Sequence, residues 1–236
     1  RPEENYIGLF GNIKNADLRN IRLENVDVSG MNNVGAVVGF MEGGTIDSCH
    51  VSGIVRGSFS VGGLAGSNKA GYINYSSSKA EVVGSYGLLY PMFVGGLVGY
   101  NEGGSICESH VWGDVSGEMD VGGLVGVNTY TTILTARMHG QIIGSSASGK
   151  VVGSYNTGGL VGRNDDGIIE SSSVLGSIEG EYNVGGLVGI HSGGCISASF
   201  SEGDVTGKNN VGGLVGSLNG GEVTNSYSLA KVAGDS

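Results

Sequence analysis

The 236-residue chain carries 48 Gly, 2 Pro and 22 Asp and Glu against 12 Lys and Arg, giving a net charge of −10 at pH 7. Such acidity offers no source for the phosphate neutralisation on which nucleic-acid affinity depends, and no stretch approaches the roughly 18 apolar residues that cross a bilayer. Glycine has no triplet period, which excludes collagen, and 39% of residues are apolar with only 7% aromatic, which points to strands packed through small branched side chains around a thin interior.

In chain order, one segment recurs. It begins at Ile7 (IGLFG), Val34 (VGAVVG), Val61 (VGGLAG), Val94, Val121, Thr157 (TGGLVG), Val184 and Val211, the four without a spelling all reading VGGLVG. The spacings are 27, 27, 33, 27, 36, 27 and 27 residues, so one 27-residue unit with two insertions accounts for the chain. Seven residues behind each segment comes an apolar residue (Leu18, Ile46, Ile73, Ile106, Ile169, Ile196, Val223), then a small one (Cys49, Ser76, Ser109, Ser172, Ser199, Ser226), and in the fifth unit Ile142 and Ser145 fall into step once nine residues are inserted after Gly126. An aliphatic position comes next (Val55, Val82, Val115, Val151, Ile178, Val205, Val232) and a closing Gly two residues later. The first unit carries one extra residue in its last part.

Within a unit, apolar and small residues alternate over short runs bounded by Gly, Asn and Ser, the pattern of strands joined by tight corners. The predicted fold is all-β: a right-handed parallel β-helix, or β-solenoid, of about eight coils of 27 residues with three short strands per coil, forming a single domain over residues 1–236. At about 4.8 Å per coil the rod is about 38 Å long. Glycine is expected to serve corners with positive φ and places where strands approach closely. The start at Arg1, without an initiator Met or leader, and the absence of obvious caps suit a piece of a larger protein.

The repeated Gly-Gly-Leu-Val-Gly, at Gly95, Gly122, Gly158, Gly185 and Gly212 and with Ala for Val at Gly62, resembles the GLUG motif. That motif is known from bacterial surface proteins, including the zinc metallopeptidases that cleave immunoglobulin A1 and adhesin-like proteins. The resemblance covers essentially the whole chain, with Gly8-Leu9-Phe10-Gly11 and Gly35-Ala36-Val37-Val38-Gly39 departing from the pattern. It implies an extracellular or cell-surface setting, with these repeats outside any catalytic domain.

Candidate chemistry is sparse. A His-Glu-x-x-His zinc motif is absent, and His50 and His110 stand two coils, about 10 Å, apart. Cys49, Cys107 and Cys195 are at least two coils apart, beyond disulfide reach. Glu81, Asp114, Lys150 and Asp204 form an outward column of mixed sign, and the acidic corner of Glu42, Glu102, Asp165 and Asp166 lacks the calcium-solenoid pattern. No catalytic residue, metal ligand or cofactor is expected.

Two columns carry more. Asn68, Asn101, Asn128 and Asn164, followed by His191, are placed to form an amide ladder along the axis. Phe59, Met119, Tyr155 and Tyr182, with Tyr86, Tyr90 and Phe93 from the inserted segment 85–93, line one edge. They either fold back as lids or form a contact surface for host glycan or protein. The second insertion, Thr129 to Gln141, reads as a projecting hairpin or loop. The leading functional expectation is a non-catalytic extracellular scaffold or adhesion module, with flanking domains of the same chain as partners. The alternatives are a carbohydrate-cleaving β-helix or an accessory region of an immunoglobulin A1-type metallopeptidase.

Overall fold

The computed structural model describes residues 5–84 and 92–234, all β and turn. No helix in it is long and apolar enough to cross a membrane. Parallel strands stack into a β-solenoid of eight turns whose register follows the repeat. Val34, Val61, Val94, Val121, Thr157, Val184 and Val211 pair in succession, as do Ile46, Ile73, Ile106, Ile142, Ile169, Ile196 and Val223, and Val55, Val82, Val115, Val151, Ile178, Val205 and Val232.

These ladders belong to three sheets. The first holds the start of each motif, for example Phe59–Gly62, and has eight strands. The second takes the end of the motif and the following apolar column, Ala65–Lys69 and Tyr72–Asn74 in the third coil. The third completes the coil with Ser77–Ser78 and Glu81–Gly84. A middle coil thus carries five short strands on three faces, because the second and third sheets are each bent at a corner. In the first coil the extra residue appears as a register shift between Leu23 and Val26, opposite the Val51 to Gly53 stretch.

The paired columns are the core. Val34, Leu64, Val98, Ile106 and Val115 and their equivalents in the inner coils are essentially inaccessible and continue from coil to coil, while the equivalents in the two end coils, such as Leu18 and Val211, are only partly buried. Each such burial contributes about 1.5–3 kcal/mol.

Two kinds of residue make the corners, and the motif glycines are not the left-handed ones. Up to three corners per coil use a residue in the left-handed region: Asn33, Ser60, Asp120, Asn156, Asn183 or Asn210 at the first, Asn15, Gly43, Ala70, Gly103, Asp166 or Gly193 at the second, and Ser48, Tyr75, Glu108, Gly144, Ser171, Ala198 or Asn225 at the third. Asn and Asp suit that conformation because their short polar side chains bond locally. The motif glycines answer to close approach instead. A Cβ on Gly122 would strike the carbonyl oxygen of Val125 and lie 2.7 Å from the backbone nitrogen of Gly162 in the next coil.

Candidate functional site

The column of small residues turns out to be a hydrogen-bonded ladder. The backbone N–H of Ser76 donates to Ser109 Oγ (3.2 Å), that of Ser109 to Ser145 Oγ (3.1 Å), and the pattern continues through Ser172, Ser199 and Ser226. Each hydroxyl in turn donates to the carbonyl two residues before it, as Ser109 does to Cys107 at 2.9 Å. Cys49 occupies the same column and its N–H donates to Ser76 Oγ (3.1 Å). Burial pushes its thiol pKa upward, chiefly by desolvation, which disfavours the reactive thiolate. All three cysteines are free.

A second ladder is buried inside the second sheet. Asn68 Nδ2 donates to Asn101 Oδ1 (2.9 Å), Asn101 to Asn128 (2.8 Å) and Asn128 to Asn164 (2.8 Å). The same nitrogens also reach the carbonyls of Gly71, Gly104, Gly140 and Gly167. Apolar residues bound the file, with Met41 below Asn68 and Leu218 beyond His191.

At the upper end Asn164 Nδ2 lies 3.0 Å from His191 Nδ1, so that ring nitrogen accepts, the proton sits on Nε2, and the imidazole is neutral. Nε2 has no hydrogen-bond partner. Burial lowers the His191 pKa, against the opposing pull of the Asp166 carboxylate and the Glu222 backbone. A depressed folded-state pKa means that the unfolded chain binds the proton first as pH falls. Stability supplied by neutral His191 is therefore full above about pH 6.5 and declines below it. In thermal melts from pH 7.5 to 5 the wild type is expected to lose stability relative to His191→Asn, which continues the ladder without a titrating ring, the opposing gain from Asp120 being common to both proteins. An identical slope in both would exclude His191 as its source.

A third ladder lies at the left-handed corner, where Asn210 donates to Asn183, Asn183 to Asn156 (2.8 Å each) and Asn156 to Asp120 (2.7 Å). Asp120 is almost fully buried, and desolvation raises its carboxyl pKa to about 6, with Arg163 and Asn156 opposing. Arg163 reaches Asp120 and Asp165 at 3.4 Å each, with its guanidinium 5.8 Å from the Phe93 ring centroid.

That cluster decides where the aromatic residues go. Phe93 shares its register column with Ser60 and Asp120, one position inward from the column of Phe59, Met119, Tyr155 and Tyr182. It is 8% exposed and packs between Phe59 (centroids 5.1 Å) and Tyr100 (5.1 Å, 24°). Tyr86 and Tyr90 lie outside the described residues. Met119 is half-buried. Tyr155 and Tyr182 remain open at 42% and 38% exposure and stack face to face, 5.0 Å apart with planes 6° from parallel. Beside them a polar recess of about 460 Å³ runs along Ser154, Glu179, Glu181 and Lys208. Its two carboxylates are tied to Lys150 and Lys208, each at 2.8 Å.

The second insertion is an antiparallel hairpin, Thr131–Ile133 against Ala136–Met138. Arg137 anchors it, resting on the Tyr130 ring at 3.5 Å and pairing with Asp166 at 2.9 Å, and Thr131 Oγ1 donates to Glu102 (2.8 Å). Its tip, Leu134, is 96% exposed. The acidic corner is likewise matched with cations, Glu42 by Lys14 and Glu102 by Lys69. Among the described residues no group of three His, Cys, Asp or Glu is arranged to hold a metal.

The GLUG motif family matches residues 117–152, 153–179 and 207–233. These segments are GLUG repeats. Each match is one whole coil running from its closing glycine, and the first contains the hairpin insertion. The GLUG coils at 117–152 and 153–179 include Met119 and Tyr155 of the edge and Asn128 and Asn164 of the ladder. The chain is also similar to an immunoglobulin A1 protease of Streptococcus sanguinis, 35% identical over 92 residues, which is 39% of this chain and 5% of the relative. A second relative, an immunoglobulin A1 protease of Streptococcus pneumoniae, is 35% identical over 96 residues, 40% of this chain and 5% of the relative. The matched part of the chain thus spans about a twentieth of the length of these curated relatives. No solved structure matches it.

Proposed function

We propose that the chain is a non-catalytic spacer and contact region of a larger bacterial protein displayed outside the cell, holding neighbouring domains apart along its axis. The observation that carries this reading is the unbroken register. The core columns stay paired in step on either side of the six- and nine-residue insertions, and the second insertion folds as a hairpin of its own. The similarity to immunoglobulin A1 proteases supports a surface or secreted setting. The stacked, exposed Tyr155 and Tyr182 form the contact edge, because paired rings offer area at low entropic cost.

The test is binding to arrays of host glycans and host proteins. The wild type is expected to retain a partner at least tenfold more tightly than Tyr155→Ala/Tyr182→Ala, with both folded by circular dichroism. Equal retention removes this edge as the contact surface. A second reading, favoured by the 35% identity, makes the region an accessory part of a protease that acts on immunoglobulin A1. Excising the solenoid from the parent would then slow cleavage of immunoglobulin A1 but not of a short peptide substrate.

A further inference from the structure

The outer face of the third sheet carries a feature that spacing does not require. Arg22, His50, Ser77 and His110 follow one another in register across the first four coils, and Lys79 and Trp112 stand side by side two positions further along their strands. Trp112, the chain's one tryptophan, is 49% exposed. Lys79 Nζ lies 5.2 Å from the indole centroid, and the His110 ring lies 6.0 Å away. Lys79 and Trp112 line a groove of about 250 Å³ together with Arg22, Glu24, His50 and Ser77.

The polar groups are fixed in place. His50 Nδ1 shares a 2.8 Å hydrogen bond with Ser77 Oγ, and Arg22 Nε donates to Glu24 at 2.7 Å. Among the described residues no carboxylate pairs with Lys79, although the chain has 22 acidic side chains and only 12 Lys and Arg. The groove therefore combines a half-exposed indole, an ammonium poised over that ring with no carboxylate partner among the described residues, two serine hydroxyls and one imidazole on an otherwise acidic protein. Typical small-ligand pockets begin at about 300 Å³, so this one has room for a single ring.

We infer that the groove binds one carboxylate-bearing sugar residue of an acidic glycan. The apolar C–H face of the pyranose lies on Trp112, its carboxylate accepts from Lys79 Nζ, and its hydroxyls meet Ser77 and His50. A neutral sugar would leave the ammonium unused. A simple anion would leave the indole unused. The site is separate from the Tyr155–Tyr182 edge and does not depend on it.

The single tryptophan makes the test direct. The intact chain is titrated with sialyllactose, with a glucuronate-containing oligosaccharide and with lactose, reading both indole fluorescence and heat. Saturable binding of either acidic sugar is expected, with lactose at least tenfold weaker, and affinity should fall as salt is raised. Lys79→Gln is expected to lose at least tenfold, and Trp112→Ala to bind no acidic sugar by calorimetry. Trp112→Phe should keep part of the affinity and Tyr155→Ala/Tyr182→Ala all of it. Which acidic sugar binds distinguishes a sialylated glycan from a uronic-acid polysaccharide. Silence toward both acidic sugars, equal binding of lactose, or unchanged affinity in a folded Lys79→Gln would overturn the inference.

Discussion

Replacing Gly158 by valine is expected to destabilise the middle of the stack by about 3 kcal/mol or more, the upper range for overpacking. A Cβ at this position would meet the carbonyl oxygen of Val161 within its own coil and the backbone nitrogen of Gly189 in the next, at 2.6 Å. Both are backbone atoms held in ladders, so no flexible side chain can yield. Stability in a repeat stack is a sum over coils and their interfaces, and damage at one interface weakens the coupling of the blocks on either side. Guanidinium unfolding of Gly158→Val should show a lower midpoint or a separated early transition. Gly234→Ala, whose nearest neighbour is Gly207 O at 3.9 Å, should unfold like the wild type. A shared midpoint for all three proteins would mean that close approach does not explain the motif glycines.

Asn101→Leu should be the next most damaging change, at about 3 kcal/mol. It keeps the branched shape of the side chain but orphans three buried groups at once: one N–H of Asn68, Oδ1 of Asn128 and the carbonyl of Gly104. Leaving a buried polar group unpaired costs about 1–3 kcal/mol, whereas removing all partners together costs far less. A variant with Leu at Asn68, Asn101, Asn128 and Asn164 should therefore lose much less than four times the single substitution in thermal or denaturant unfolding. Strict additivity would argue that the amides act independently. Met41, fully buried below Asn68, already shows that an apolar residue fits the column where no donor points at it.

The solenoid and its phase were readable because Val, Ile and Gly recur at fixed intervals, and even the insertions could be subtracted by counting. The serine column was visible as a run of small residues, but its bonds were not, since a small side chain is also what tight packing selects. The corner ladder ending at Asp120 hid behind exchange among Asn, Ser and Asp, types that share left-handed tolerance rather than hydropathy. Attention to that tolerance could have found it. Counting misplaced Phe93, because the inserted segment runs straight into the next motif and one step of register carries its ring from the edge to the interior. Trp112 gave no periodic signal at all. Its column holds Ser52, Lys79, Ser148 and Leu175 in other coils, and only the folded sheet brings Lys79 beside it.

The ladders also determine how the protein would answer a pull between its ends. Every backbone bond that joins one coil to the next runs along the axis, so tension applied along it loads one interface's few bonds directly instead of shearing long strands past each other. Coils would peel away singly, each releasing 27 residues and thus about 90 Å of extended chain in place of about 4.8 Å of stack. Fastened between two anchored domains, such a rod would lengthen in steps under load, with the 36-residue coil that carries the hairpin giving the longest step.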